Sequence, residues 1–187
     1  MTSHKPQPRL HKIQHVMDFK DLCLRRRSHR HFTDEPVSKA DIDLIIKAAL
    51  LSPTSKSRRD WKFVVVTDKE KIFSLSEAKD HAAELLAEAP LAIVVAGRPE
   101  ENDCWIEDCA VAAVTMQYQA EDLGLGSCWV QMRDRGIGDI AASSIISAFM
   151  GLKADEEVLC VLAIGHKAKE LPPLDESQLK YDSVKFI

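Results

Sequence analysis

The alternation of apolar and polar positions divides the chain into helical and extended stretches. Residues 39–51 carry apolar side chains at helical spacing, which predicts an amphipathic helix. Ser38 is a suitable N-cap for it, and Ser52-Pro53 should end it. Residues 63–67 and 90–97 are short, continuous apolar runs, as expected of strands in a sheet that helices cover on both faces.

The rest of the chain continues this pattern of helices and strands. Further helical stretches are predicted at 69–77, 80–89, 103–123 and 137–150, and further strands at 127–130 and 157–165. The stretch 103–123 is apolar around much of its girth, so this helix should be central, and Gly124 is well placed to end it. Residues 166–187 show little periodicity but end in apolar side chains. They form either a strap on their own domain or an arm that crosses to a partner subunit.

Length and charge narrow the possible function classes. With 187 residues, 45% hydrophobic and 29% charged, the chain is typical of globular proteins. We expect a single domain over residues 17–187 and a loose polar tail over residues 1–16, which lacks the apolar core of a signal peptide. The formal net charge of -4 favours neither nucleic acid nor an anionic membrane, and no apolar run is long enough to span a bilayer.

Cysteine usage indicates a reduced compartment. The chain has five cysteines, an odd number, and several lie in apolar runs, which favours buried free thiols and a cytoplasmic location. Cys104 and Cys109 lack the paired spacing of a structural zinc site, and the histidines lack metal-ligand pairing. We therefore expect no metal site.

The densest candidate chemistry is a basic strip at residues 25–32, with four arginines and two histidines around Ser28. In an extended segment alternate residues face the same way, so Arg26, Ser28 and Arg30 would share one face and could hold a phosphate. A solvated basic surface explains the same spacing equally well.

Three other segments could line a ligand site. The loop 52–61 is dense in hydroxyl and amide groups, and 124–129 has two glycines whose backbone could approach a flat ligand. The segment 163–169 ends a strand in glycine and then offers Lys167 and Lys169 to an anion. Each has a plainer explanation as an anchor, a helix end or solvated lysines. No nucleophile elbow or acid pair is present, which favours a cofactor that carries its own chemistry.

Taken in order, these segments resemble the nitroreductase family of FMN enzymes. The chain reads Arg26-Arg27-Ser28-His29-Arg30-His31-Phe32 where that family has Arg-Arg-Ser-x-Arg-x-Phe. Loop 52–63, the Gly-Leu-Gly-Ser-Cys-Trp segment at 124–129 and the late strand ending in glycine also match. The resemblance covers roughly residues 17–187. It implies an α+β fold, a three-layer α/β/α sandwich with a mixed, mostly antiparallel sheet, and a homodimer with an exchanged C-terminal arm at 166–187.

The resemblance also implies roles for individual residues. Arg26, Ser28 and Arg30 match positions that hold the FMN phosphate and ribityl chain, and Arg27 matches a position near the flavin pyrimidine. The loop that approaches the flavin from the other subunit contributes Pro53, Thr54, Ser55 and Ser57. Backbone contacts to the flavin ring match Gly126 and Ser127, and the positions near the phosphate match His166, Lys167 and Lys169.

The implied activity is ping-pong hydride transfer from NADH or NADPH through FMN to a nitroaromatic, a quinone or a similar acceptor, with no side chain as an obligate acid or base. Two alternatives stay open: specialised flavin chemistry such as flavin fragmentation or dehalogenation, and flavin binding without turnover. The chain departs from the family pattern at Lys56, Ser57, Arg59 and Asp60, where the family has Gly, Asn, Gln and Pro. These departures leave the substrate open.

Overall fold

The structure is a computed structural model that describes residues 17–187. The tail predicted at residues 1–16 lies outside the described residues. The helices of the described part are α1 (Phe19–Arg25), α2 (Lys39–Leu51), α3 (Lys69–Ser76), α4 (Trp105–Asp122) and α5 (Ala142–Met150). Its strands are β1 (Lys62–Val66), β2 (Leu91–Gly97), β3 (Leu125–Gln131), β4 (Gly136–Ile137), β5 (Ile140–Ala141) and β6 (Glu157–His166).

Four of these strands form one sheet in the order β1-β2-β6-β3, and all three ladders are antiparallel. Every residue of β2 is buried, and β6 is buried from Val158 to Gly165. The continuous apolar runs in the sequence thus correspond to the two central strands. A parallel bridge between Ser28 and Ser127 joins the N-terminal segment to β3 and makes the pairing mixed.

Helices cover both faces of the sheet, which confirms the predicted three-layer α+β sandwich. On one face α2 and α4 contribute Ile45, Ala49 and Met116 to a core under the sheet. On the other face α3 and α5 contribute Ile72 and Ile146 to a second core. Alternate residues of the central strands supply the two cores, because successive side chains of a strand point to opposite faces.

The start of α2 and the end of α4 carry the capping residues that the sequence predicted. The hydroxyl of Ser38 accepts a hydrogen bond from the backbone N–H of Asp41 at 3.1 Å at the start of α2. Gly124 follows α4 with a φ of 78°, in the left-handed region that glycine adopts without steric cost. The sharp turn at Gly124 sends the chain directly into β3.

Two predicted helices are shorter than their patterns indicate. The stretch 80–89 contains only a 3₁₀ turn, Glu84–Leu86, because Ala82 adopts a φ of 61° and interrupts the helix. The helix predicted from residue 137 begins at Ala142 instead. Residues 136–141 form the β4–β5 hairpin, which turns through Gly138 at a φ of 54°.

The sequence patterns gave no prediction for α1, and this helix changes the start of the basic strip. Arg25 is its last residue, and Arg26 caps it with extended backbone at φ -59° and ψ 118°. The alternation proposed for the strip therefore begins at Arg26 and excludes Arg25.

Candidate functional site

The basic strip lies along the end of the sheet where β3 begins and β6 ends. The backbone N–H of His29 donates to the carbonyl of Ser127 at 3.0 Å, and Phe32 forms an antiparallel bridge with Lys167. Phe32 is largely buried and anchors the strip in the core of the α3–α5 face. The strip is thus fixed to the sheet rather than lying free on the surface.

The side chains of the strip lie in different surroundings. Burial raises the pKa of the Cys128 thiol, and the cations of Arg30 and Arg26 act in the opposite direction. The guanidinium of Arg26 also stands 5.9 Å from the centroid of the Tyr118 ring. Arg27 donates to the carbonyl of Pro172 in the C-terminal segment.

A cavity of about 210 Å³ opens beside the strip. Its lining includes Ser28, Arg30 and Lys169, which bring one hydroxyl and two cations to one place. Such a group of charged and hydroxyl donors suits a phosphate. Arg30 and Lys169 are exposed at this opening, and Lys169 forms no ion pair within residues 17–187.

Lys79 is a further cation of this site that the sequence did not single out. Its ammonium donates to the carbonyl of Gln131 at 3.0 Å, at the end of β3. Burial lowers its pKa, and Arg135 lowers it further, while Glu84 acts in the opposite direction. Lys79 also lowers the pKa of Cys128, as Arg30 and Arg26 do. The only sequence signal is a lysine directly after the buried Ala78, which is too weak to use alone.

The segment 124–129, which contains Gly124 and Gly126, packs directly against the strip. A Cβ on Gly126 would stand 2.8 Å from the Cβ of His29 and 3.0 Å from the Cγ of Lys167, so only glycine lets these chains approach so closely. The buried hydroxyl of Ser127 pairs with the amide of Gln117 at 3.4 Å. In this arrangement Gly126 and Ser127, both in β3, pack directly against the strip.

Lys167 is held in a buried ion pair. Its ammonium lies 2.8 Å from Oε1 of Glu121, with both side chains less than a tenth exposed. Its neighbour His166 is half-buried, with Nε2 3.9 Å from a carboxylate oxygen of Glu35. Of the three C-terminal residues predicted near the phosphate, Lys169 alone lines the cavity beside Ser28.

His29 is buried beside this ion pair, and its titration gives a testable pH dependence. Burial lowers its pKa from the ordinary 6.5; Lys167 and Arg27 also lower it, while Glu121 and Glu170 oppose them. Below pH 6.5 the unfolded chain therefore binds a proton that the folded chain does not, and stability falls as the pH falls. Above that pH both states are neutral at His29 and the effect vanishes.

We therefore expect the free energy of unfolding to fall between pH 7 and pH 5 by a smaller amount in His29→Gln than in the unaltered protein. Denaturant titrations at a series of pH values measure this difference. His81→Gln, a substitution at an exposed histidine, is the matched control and should keep the full pH dependence. Equal pH profiles for His29→Gln and the unaltered protein would contradict the assignment.

The loop after α2 is firmly held at its base. The buried carboxylate of Asp108 accepts from the backbone N–H of Ser55 and from the side-chain amide of Asn102, each at 2.8 Å. The hydroxyl of Thr54 accepts from the backbone N–H of Arg59 at 3.2 Å. Pro53 and Ser57 are exposed, and Thr54 and Ser55 are half-buried.

The loop and the strip of one chain lie at opposite ends of the sandwich. Asp108 anchors the loop and Glu121 pairs with Lys167 below the strip, and these residues are thirteen positions apart in α4, or about 20 Å at 1.5 Å per residue. The sheet also separates the loop from the strip, because the loop leads into β1 at the end of the sheet where β6 begins, and the strip lies where β6 ends. Within one chain the loop does not reach the cavity beside Ser28.

With this geometry in place, comparison with known proteins identifies the chain. The model of the nitroreductase family matches residues 24–90 and 73–166, most of the chain. The chain belongs to the nitroreductase family. The predicted resemblance is thus confirmed.

Two proteins are similar to this chain over most of their length, and a third is similar over a shorter stretch. The structure of an FMN-dependent nitroreductase from Clostridium difficile R20291 has a TM-score of 0.87 and 42% identity, covering 89% of this chain and 98% of that one. A protein of Archaeoglobus fulgidus with the provisional name NADH dehydrogenase/NAD(P)H nitroreductase is 32% identical, over 79% of this chain and 87% of that one. Iodotyrosine deiodinase 1 of Rattus norvegicus is 36% identical over 81 residues, 42% of this chain and 28% of that protein.

Among the described residues of this nitroreductase-family chain, no three His, Cys, Asp or Glu side chains form a group that could hold a metal ion. Within the same residues no helix is long and apolar enough to cross a membrane.

Proposed function

We propose that this protein is an FMN-dependent oxidoreductase that uses NADH or NADPH. The observation that carries the proposal is the small cavity beside the fixed strip, which Ser28, Arg30 and Lys169 line, with Arg26 on the same extended segment. The FMN phosphate is a dianion that needs several charged donors at one point. The protein as a whole is negatively charged, so this local cluster has to supply them.

The residues fit FMN in a consistent order along the site. Arg26, Ser28, Arg30 and Lys169 would hold the phosphate and ribityl chain. Lys79 lies further along the same face and would place its cation at the pyrimidine end of the flavin ring, the role that the family resemblance gave to Arg27. Four residues would act indirectly, by fixing the strip to β3 and β6: His166, Lys167, Gly126 and Ser127.

The flavin supplies hydride transfer between a reduced nicotinamide and an acceptor in two separate half-reactions. The chain's own contribution is binding and electrostatics. A half-buried ammonium such as that of Lys79 stabilises negative charge that develops next to it, and it costs no reorganisation because its position is already fixed by Gln131. No side chain in the site needs to act as an acid or a base.

We also propose that two copies of the chain complete each site. One chain's own loop is anchored about 20 Å along α4 from the residue pair that holds its strip, so we infer that Pro53, Thr54, Ser55 and Ser57 contribute from a second subunit. The outer faces of α2 and α4 expose Leu50, Leu51, Val111 and Val114, which a second copy would bury. Such a two-fold contact brings each loop to the partner's strip.

The C-terminal segment is the second element that would cross between subunits. Its first part packs on its own chain, where the N–H of Leu174 donates to the carbonyl of Leu24 at 2.8 Å. Its end leaves Tyr181, Val184 and Phe186 more than half exposed. Burial of these side chains on the partner is the arm exchange that we propose. All five cysteines are free, which suits the reducing cytoplasm that we propose as its location.

Oxidation of NADH or NADPH with added FMN and a nitroaromatic or quinone tests the proposed activity. We expect initial rates that give parallel lines in double-reciprocal plots, as two separate half-reactions require. A protein that binds FMN but leaves the nicotinamide oxidation rate at that of free FMN would be a binding protein instead. A dehalogenase on the same fold would release halide from a halogenated phenol, and the local similarity to iodotyrosine deiodinase makes that a useful second assay.

A further inference from the structure

The loop after α2 carries a concentration of positive charge that the cofactor does not use. Lys56, Arg58 and Arg59 lie within four residues, and all three are exposed. Within residues 17–187 none of them forms an ion pair. Asp60 follows them directly, and it too makes no ion pair in this part of the chain.

The backbone of the loop is held in an unusual conformation. Lys56, Ser57 and Arg59 have φ values of 52°, 54° and 57°, in the left-handed region that non-glycine residues rarely adopt. Each such residue costs roughly 1 kcal/mol or more and persists only where the surroundings fix it. Here the anchor of Ser55 on buried Asp108 fixes the loop from below. The backbone that carries these three cations is thus anchored to α4.

In the proposed site the phosphate of FMN has its donors elsewhere. Ser28, Arg30 and Lys169 line the cavity at the strip and Arg26 lies on the same segment, so the loop cations are not needed to hold the phosphate. In the dimer proposed above the loop approaches the partner's strip from outside, where a substrate enters. The protein has a formal net charge of -4, which disfavours anions in general, so a cationic loop at the entrance changes selectivity locally.

We propose that Lys56, Arg58 and Arg59 make this enzyme selective for substrates that carry a carboxylate or phosphate group. The inference rests on the proposed function, and it names the substrate class of the same site. The anionic group belongs either to the electron acceptor, as in a nitrobenzoate, or to the donor, as the 2′-phosphate that distinguishes NADPH from NADH. In both cases the loop provides charge near the flavin without touching the reacting atoms.

The test uses the full-length dimer and two variants with equal change in charge. The loop variant is Lys56→Gln/Arg58→Gln/Arg59→Gln, and the control is Lys69→Gln/Lys71→Gln/Lys153→Gln, three exposed lysines on other surfaces. Acceptor selectivity is kcat/KM for 4-nitrobenzoate divided by that for the neutral 4-nitrobenzamide. Donor selectivity is the same ratio for NADPH and NADH. Calorimetric titration with benzoate and benzamide measures the same preference without turnover.

We expect at least one selectivity ratio to fall about tenfold in the loop variant, as the loss of several clustered ion pairs predicts, and to change less than twofold in the control. If the acceptor ratio falls, the electron acceptor carries the recognised anionic group. If the donor ratio falls, the nicotinamide donor carries it. The preference of the unaltered protein for that anion should also weaken with added salt.

Three results would overturn the inference. The ratios could stay unchanged in the loop variant, the control could change them equally, or the loop variant could lose FMN while keeping its selectivity, which would assign the cations to the cofactor. Failure of the proposed function is distinguishable, because then no substrate turns over in any variant. Benzoate titration still decides the role of the loop in that case: equal benzoate affinity with and without the cations would refute it.

Discussion

Replacing Arg26 and Arg30 together with alanine is expected to release FMN from the protein. Each arginine would make a charge-assisted hydrogen bond to the phosphate, and removal of one such contact costs about 1.5–3 kcal/mol. Loss of both should raise the dissociation constant of FMN by roughly 10²–10⁴-fold. Flavin fluorescence in the filtrate of a centrifugal concentrator measures the released fraction at known protein concentration.

The fold of this double variant should change little. Arg30 is exposed, and Arg26 contributes only a cation–π contact with Tyr118, of about 0.5–1 kcal/mol. Arg25→Ala removes an exposed cation of the same segment that belongs to α1 and does not line the cavity, so this control should keep its FMN. Stoichiometric flavin in the double variant would refute the phosphate assignment.

Loss of the buried cation Lys167 should cause the largest change in stability. In Lys167→Met the carboxylate of Glu121 would remain buried without its partner, which typically lowers the free energy of unfolding by about 3–5 kcal/mol. The double variant Glu121→Leu/Lys167→Met removes both charges and should recover most of this loss. Urea titrations of the two single variants and the double variant give the coupling between the residues.

The same experiment separates a supporting role from direct phosphate binding. If Lys167 acts by fixing the strip, the double variant should bind FMN with nearly unaltered affinity. The control is Lys169→Met, an exposed cation at the cavity, which should cost less than about 0.5 kcal/mol of stability but weaken FMN binding. A double variant that is stable but no longer binds FMN would show that Lys167 contacts the phosphate itself.

The layered fold could be predicted because its signals are local. The continuous apolar runs of β2 and β6 indicated strands buried on both faces, and the periodicity of α2 and α4 indicated the helices that cover them. Ser38 and Gly124 marked helix ends through capping chemistry that depends on neighbours in sequence. The family motifs added the antiparallel order of the sheet, which no local pattern contains.

The errors arose where distant contacts override local preference. The apolar pattern of 80–89 resembles that of a helix. However, the N–H of Asp80 donates to the carbonyl of Gly136 on the β4–β5 hairpin, and Ala82 adopts a left-handed φ that interrupts the helix. The hairpin itself consists of two-residue strands, which are too short to leave a period in the sequence.

The site was predictable in part for the same reason. Alternation within the strip places Arg26 and Arg30 on one face and Arg27 on the other, because extended backbone has a fixed period of two, and this assignment stays a prediction. The contact between Lys167 and Glu121 spans 46 residues, and nothing near either position in the sequence indicates it. Lys79 was missed because its contact with the carbonyl of Gln131 spans 52 residues, and no local pattern indicates it.

Titration of the purified protein with FMN, followed by its visible absorption spectrum, tests the central claim most directly. We expect one FMN per chain, a spectrum altered from that of free flavin, and flavin that stays with the protein through gel filtration. The Arg26→Ala/Arg30→Ala variant should lose the flavin in the same run. A colourless protein from which added FMN separates completely would contradict the proposed cofactor site.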